Sequence, residues 1–222
     1  MKTLTFDTSL NKTYITLSED EKIIDSRILD STDEKYHSAY LIPVIVDVLK
    51  NNNLTMEDIK AIGTNIGPGS FTGIRVCNTI SRVFAQALNI KLLGFSSLEI
   101  LSKINTTEKD TLVLLDARKE KVYEAVYSKE GKELKAPHAT LKEDVLKYNF
   151  DKYFIVTDNS IKRFLEENGI SATSYEEKEY ELGKYLAKLT SDKLKNSDNN
   201  FNWAELKPLY IQPPSISKPK AR

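Results

Sequence analysis

Ala61-Ile-Gly-Thr-Asn-Ile-Gly-Pro-Gly-Ser-Phe-Thr-Gly-Ile-Arg75 runs directly into Val76-Cys-Asn-Thr-Ile-Ser-Arg-Val-Phe-Ala-Gln-Ala-Leu88. The opening part, through Ile66, is short, apolar and β-prone, which predicts a buried strand. The closing part carries Ile74, Cys77, Ile80, Phe84, Ala87 and Leu88 near the 3.6-residue period of an amphipathic helix. Gly67, Pro68, Gly69 and Ser70 lie between. Glycine reaches backbone angles that other residues resist, and proline fixes its own φ, so the four make a defined turn. Ser70 or Thr72 then caps the helix. The stretch is a strand, a tight turn and a helix, with every local signal in agreement.

A glycine-rich turn before a helix invites three chemical readings, and the spacing supports none. A dinucleotide fingerprint needs G-x-G-x-x-G, whereas Gly73 gives G-x-G-x-x-x-G; a P-loop ends in Gly-Lys-Ser/Thr, and no lysine is present. A nucleophile elbow needs glycines two residues either side of its serine, where Ser70 has Pro68 and Thr72. Pro68 also removes an N–H that a phosphate cradle would use. A close backbone connection is the reading preferred over phosphate binding.

Outward from this stretch, Lys2–Thr8, Thr13–Leu17 and Ile23–Leu29 alternate as three strands with short links, an antiparallel meander. Asp7-Thr8-Ser9 closes the first strand, and its preferred reading is a local polar turn. Tyr36-His37-Ser38 leads into a helix over Ala39–Leu49, where Pro43 must fall near the first turn or kink the helix. Ile59–Ile66 is the fourth strand, Ile90–Phe95 the fifth, and Leu98–Ile104 a short helix. The first hundred residues therefore read β-β-β-α-β-α-β-α, a mixed sheet flanked by helices. Beyond the polar boundary Asn105–Asp110, strands are predicted at Thr111–Leu115, Lys121–Ser128, from Glu133, at Tyr153–Thr157 and at Ala172–Tyr175. Helices are predicted over Ser160–Asn168 and from about Glu179 to Lys195, with Pro208–Ile211 a final strand or extended segment. Two units follow: 1–105, and a smaller 106–222 whose last segment can pack back on the first. Ser215–Arg222 is polar, carries three positive charges and is expected to be mobile. No internal repeat of fixed period is visible.

With 222 residues the chain can bury a substantial core, and 40% hydrophobic with 29% charged residues is the composition of a globular domain. Lys plus Arg and Asp plus Glu are 32 each, which argues against a chain that grips nucleic acid unaided. One cysteine excludes an internal disulfide, and Cys77, on a packed helix, reads as a small core residue. No apolar run is long enough to span a membrane, and the N-terminus lacks a signal peptide's apolar region, so a cytoplasmic protein is expected.

Chemistry is hard to place. His37 and His138 are a hundred residues apart, and no H-x-x-x-H, H-E-x-x-H or C-x-x-C spacing exists. His37, at a helix start, fits a packing or interface role better than catalysis; His138 follows Pro137 in a predicted loop with no visible partner. Asp116–Lys121 is a dense charge run of the kind that forms a solvated turn with local ion pairs. Read from its residues, the chain is a scaffold without an active site.

Gly67-Pro-Gly-Ser-Phe-Thr-Gly-Ile-Arg75 closely resembles the signature of the bacterial TsaB (YeaZ) family, which helps make threonylcarbamoyladenosine in tRNA. The likeness extends through Asp7-Thr8-Ser9, His37-Ser38 with Leu41-Ile42-Pro43, Gly94-Phe-Ser-Ser-Leu-Glu99, Leu115-Asp-Ala-Arg118 with Val122-Tyr123, and Pro208-Leu-Tyr-Ile-Gln-Pro-Pro214. It implies an α/β fold of the two-lobed ASKHA type (actin/Hsp70-like, with a ribonuclease-H-like core) and a reduced second lobe. The family's catalytic relative, TsaD, carries an H-x-x-x-H metal pair where this chain has Ser97 and Leu101; leucine cannot ligate a metal. The resemblance therefore implies a non-catalytic subunit, without cofactor of its own, that binds TsaD as it transfers the threonylcarbamoyl group to adenosine 37 of tRNA. A TsaE-type ATPase joins the pair, ATP and metal sit on the partners, tRNA is met through the complex, and the chain alone forms a homodimer.

The implied binding surface is the helix pair Tyr36–Leu49 and Phe71–Leu88, with His37, Tyr40, Leu41, Val44, Phe71, Ile74, Thr79 and Val83 at the partner interface. Gly67, Pro68, Gly69, Ser70, Thr72, Gly73 and Arg75 are the motif turn beside it. The chain departs from the family at Asn65-Ile66, where Gly-Arg is frequent, along the second helix at Cys77, Arg82 and Val83, and at Gln212, where arginine is frequent. Rival readings are a self-contained homodimeric interaction protein, and a metal- or nucleotide-dependent peptidase or kinase of the same fold.

Overall fold

Each lobe is built from one five-stranded sheet whose first strand lies at the centre. In this computed structural model, residues 1–30, 34–196 and 201–212 are described, with side chains from residue 39 onward in the first helix. The elements are β1 (Lys2–Asp7), β2 (Thr13–Glu19), β3 (Lys22–Leu29), α1 (Glu34–Asn51), β4 (Ala61–Gly67), α2 (Phe71–Leu88), β5 (Lys91–Ser96) and α3 (Ser97–Ser102). Then come β6 (Asp110–Asp116), β7 (Lys121–Tyr127), β8 (Glu133–Leu141), α4 (Lys142–Val145), β9 (Tyr153–Thr157), α5 (Asn159–Glu167), β10 (Thr173–Ser174) and α6 (Leu182–Lys195).

The first sheet has the order β3-β2-β1-β4-β5; β1 pairs antiparallel with β2 and parallel with β4. The meander needs only tight turns, whereas the parallel strands need crossovers, which α1 and α2 supply. Alternation along β1 and β2 sends Leu4, Phe6, Ile15 and Leu17 to one face, where they pack with Leu41, Ile45 and Val48 of α1 and Cys77 and Ala85 of α2. The opposite face, buried under α6, is polar and small: Thr3 and Ser18 share a hydroxyl bond of 2.6 Å, and Thr16 and Ser26 one of 3.1 Å. Such hydroxyls tolerate burial because they satisfy one another.

The second sheet repeats the first. Its order is β8-β7-β6-β9-β10, with β6–β8 an antiparallel meander and β9 and β10 parallel to β6. The repeat lies in topology, which is why no fixed period marks it in the sequence. In the second lobe the four-residue α4 stands where the first has the 18-residue α1, and β10 has two residues. This is the two-lobed ASKHA architecture with a reduced second lobe. Phe95, Leu98 and Leu101 join Val113, Tyr127, Leu182 and Leu186 in one core between the sheets. The α6 helix packs on β1 and β2, so the chain returns to the first lobe after building the second.

Several elements differ from the sequence reading. The first helix starts at Glu34, so Pro43 lies inside it rather than in its first turn. Of the two readings of Pro208–Ile211, a final strand or an extended segment, the strand is not formed: the segment joins neither sheet, and its Leu209 N–H donates to the Ile66 carbonyl at 2.8 Å. His138 is on β8, not in a loop: its Nδ1 lies 2.9 Å from the Ala136 carbonyl and its Nε2 3.1 Å from Glu124 Oε1. The expected mobile tail, Ser215–Arg222, falls outside the described residues.

Glu124 is buried beneath this edge, and its Oε1 also accepts from Lys135 Nζ and, at 2.7 Å, from Tyr148 Oη. Replacing it removes the acceptor shared by Lys135 and Tyr148, the latter half-buried in an aromatic cluster. Glu124→Ala is expected to destabilise the chain by about 1–3 kcal/mol, read from the urea midpoint at unchanged m-value.

Candidate functional site

The motif turn is held by a buried polar network rather than by its glycines alone. Asp7 ends β1 and Asn65 lies near the end of the adjacent β4. Asp7 Oδ1 accepts from the Ser9 N–H at 2.7 Å and the Ser9 hydroxyl at 2.6 Å, while Oδ2 accepts from Asn65 Nδ2 at 2.8 Å. Asn65 Oδ1 in turn accepts from the Gly67 N–H at 2.7 Å and the Ser97 hydroxyl at 2.9 Å. A side-chain amide suits this position because its nitrogen donates to the carboxylate while its oxygen accepts from the other two. The local-turn reading of Asp7 is thus right about Ser9 and incomplete, because Asn65 joins the same carboxylate from 58 residues away.

Glycine is required where backbones meet. A Cβ at Gly69 would stand 2.3 Å from the Ser9 carbonyl oxygen, and one at Gly73 1.9 Å from that of Thr8. The contact is closed by Ser70 N–H donating to Ser9 O at 2.8 Å and Thr8 Oγ1 to Gly73 O at 2.8 Å. Ser70 is the cap, accepting from Gly73 N–H at 3.3 Å; Thr72 is exposed. Pro68 precedes the contact, and Arg75 leaves it, its guanidinium 3.9 Å above the Phe71 ring and its Nε 3.4 Å from Tyr210 Oη.

Cys77 lies beneath the turn, fully buried, with its sulfur 3.0 Å from the Thr8 N–H. Burial, reinforced by the charge of Asp7, pushes its thiol up to about 12, so it is an inert core residue. Ser97 and Leu101 both face inward: the Ser97 hydroxyl donates to Asn65, and Leu101 is buried between the sheets. These residues do not fit a metal, and among the described residues no cluster of three His, Cys, Asp or Glu side chains could hold one.

Across the cleft, the second lobe repeats the turn. Asp116 ends β6 as Asp7 ends β1, and its Oδ1 accepts from the Arg118 N–H at 3.0 Å, two residues on, as Asp7 does from Ser9. Asp158 caps α5 through Ile161 N–H at 2.8 Å and also accepts from Asp116 N–H at 2.5 Å. Burial pushes the Asp158 carboxyl up against the opposing pull of these N–H groups. The charge run is the solvated turn its composition predicts: Arg118, Lys119 and Glu120 are exposed, Lys121 N–H donates to Arg118 O at 3.1 Å, and the three residues are left-handed with φ of 61°, 50° and 58°. A cavity of about 630 Å³ separates Ser9 and Ser70 from Asp116, Asp158 and Glu176.

The outer face of α1 and α2 carries exposed apolar side chains among polar ones. Phe71 and Val83 are 51% and 55% exposed, and Tyr40, Ile42 and Val46 are exposed beside them. Thr79 is exposed on the same face and Val44 is half-buried. Two expected interface residues are corrected: Leu41 and Ile74 turn inward and are buried at 0% and 4% exposure, because each helix must first cover its own sheet. The His37 side chain lies outside the described residues. Ile42 and Val46, one turn apart on α1, are also exposed.

Residues 28–175 match the family described as "TsaD: tRNA N6-adenosine threonylcarbamoyltransferase". Among curated proteins, the chain is 28% identical to "tRNA threonylcarbamoyladenosine biosynthesis protein TsaB" of Buchnera aphidicola from Schizaphis graminum, over 75% of this chain and 82% of that protein. It is 32% identical to the TsaB of Bacillus subtilis over 57% of this chain and 55% of that one. The chain belongs to this family, and within it to the TsaB (YeaZ) proteins. The solved structure "YeaZ from Pseudomonas aeruginosa" superposes with a TM-score of 0.78 at 20% identity, covering 94% of this chain and 99% of that one, which shows a shared fold.

Two outcomes follow from the site. Cys77 is expected to resist iodoacetamide in the native chain at pH 8 and to alkylate fully in denaturant, as mass spectrometry would show. Asn65→Leu leaves the Asp7 carboxylate and the Ser97 hydroxyl without their shared partner, and is expected to lower the unfolding free energy by at least about 2 kcal/mol.

Proposed function

We propose that the chain is a non-catalytic subunit in the biosynthesis of tRNA threonylcarbamoyladenosine, binding and supporting a TsaD-type transferase together with a TsaE-type ATPase. The observation that carries this reading is the apolar face shared by α1 and α2, which remains exposed after both helices have covered their own sheet. Exposed Tyr40, Ile42, Val46, Phe71 and Val83 lie on two neighbouring helices, an arrangement suited to a four-helix contact. Support also comes from Ser97 and Leu101, whose side chains serve packing rather than ligation. ATP and metal belong to the partner subunits, and the complex works in the cytoplasm. Without a partner, the same face is taken by a second copy of the chain.

The reading is tested by omission. Modified adenosine is quantified by mass spectrometry after incubating tRNA, ATP and threonylcarbamoyl-adenylate with the transferase, the ATPase and this chain. Product is expected only with the chain present, and none from the chain alone. Val83→Glu places a charge at the centre of the face, and is expected to weaken capture of the transferase by more than about tenfold while leaving the melting temperature unchanged. Equal product without the chain would refute the role and leave a self-contained homodimer as the reading.

A further inference from the structure

We propose that a second cavity, at the amino-terminal end of α2, holds a single strand of RNA directly. It has a volume of about 710 Å³ and is bounded by the motif turn, the left-handed segment of the second lobe and the segment Leu209–Gln212. Its lining carries three cations, Arg75, Arg118 and Lys119, and three aromatic rings, Phe71, Tyr123 and Tyr210, with no carboxylate. In a chain whose charges balance at 32 each, that is a local segregation of charge. Asp116, Asp158 and Glu176 line the neighbouring cavity, where Asp116 and Asp158 accept from backbone N–H groups and Glu176 accepts from Asn159 N–H at 2.8 Å; Glu120, beside Lys119, lines neither.

Cations for phosphates and flat rings for bases are the two components of single-strand recognition, and stacking accepts any base because every base has a π-face. The rings are presented for this. Phe71 and Tyr210 are each 51% exposed, with centroids 6.1 Å apart, and Arg75 already stacks on Phe71. Three consecutive positive φ values, at residues that ordinarily avoid them, carry Arg118 and Lys119 at the tip of the second-lobe turn. Phe71 and Arg75 stand on the ridge between the cavity and the helical face, so a strand held here lies beside whatever docks on that face. The single strand is inferred from the cavity; that it is RNA rests on the function proposed above.

The experiment titrates the purified full chain into a labelled, unstructured 12-nucleotide RNA and follows fluorescence anisotropy, without partner proteins, so its failure leaves the omission assay untouched. Saturable binding is expected. Contact with three phosphates on a single strand should weaken it about 20-fold between 50 and 200 mM salt. Arg118→Asn/Lys119→Asn, using a residue that tolerates positive φ, should weaken binding at least about tenfold and flatten the salt dependence. Tyr210→Ala should weaken it about tenfold with the salt dependence kept. Circular dichroism melts confirm that each variant is folded. The inference is overturned by no saturable binding to the folded wild-type chain, by equal binding of duplex RNA, by displacement with equimolar AMP, or by variants that bind as the wild type does; the last result would place the RNA on the basic tail.

Discussion

The Asp7 carboxylate and the Asn65 amide fix the part of the first lobe on which the rest depends. They join the ends of two adjacent parallel strands and reach the first residue of α3 through Ser97. A carboxylate this deeply buried is tolerated only when hydrogen bonds fill its lone pairs, and Ser9 and Asn65 do so. With the strand ends fixed, the Thr8–Ser9 backbone stands close enough to Gly69 and Gly73 to exclude any side chain there. The start of α2 is thereby set, and with it the direction in which Phe71, Arg75 and Val83 project.

The same turn chemistry appears twice because the topology does. Asp7 with Ser9, and Asp116 with Arg118, are equivalent turns at the ends of equivalent central strands, facing each other across the cleft. What differs is what each turn presents. In the first lobe the polar groups are spent on one another. In the second, Asp158 is spent on backbone N–H groups and Arg118 and Lys119 project at the tip. One cavity is therefore lined with carboxylates and the other with cations, though they share Gly69, Phe71, Ala117, Arg118 and Tyr123.

The helical face follows from an ordinary constraint taken one step further. A helix on a sheet buries one stripe; α1 and α2 carry apolar residues on the far side as well. Water-exposed Val83 and Phe71 gain nothing from solvent, and their burial on association is the favourable term of an interface. The adjoining ridge, where Arg75 stacks on Phe71 against Tyr210, ties this face to the C-terminal segment.

Sequence alone determined the strand–turn–helix at Ala61–Leu88 and the first meander, because hydrophobic period, turn chemistry and capping are local properties of the chain, while the two-lobed fold class followed from resemblance to a family motif. Sequence was also enough to mark Cys77 as a core residue. The tertiary structure decided which side of each helix faces water: Leu41 and Ile74 share the apolar character of Val83 but point at the sheet, and periodicity gives a stripe without saying what lies against it. Only tertiary structure could join Asp7 to Asn65 across 58 residues, place His138 beside Glu124, or gather Arg75, Arg118 and Tyr210 around one cavity. Those contacts depend on strand register and on how one lobe meets the other, and neither is encoded within any single segment.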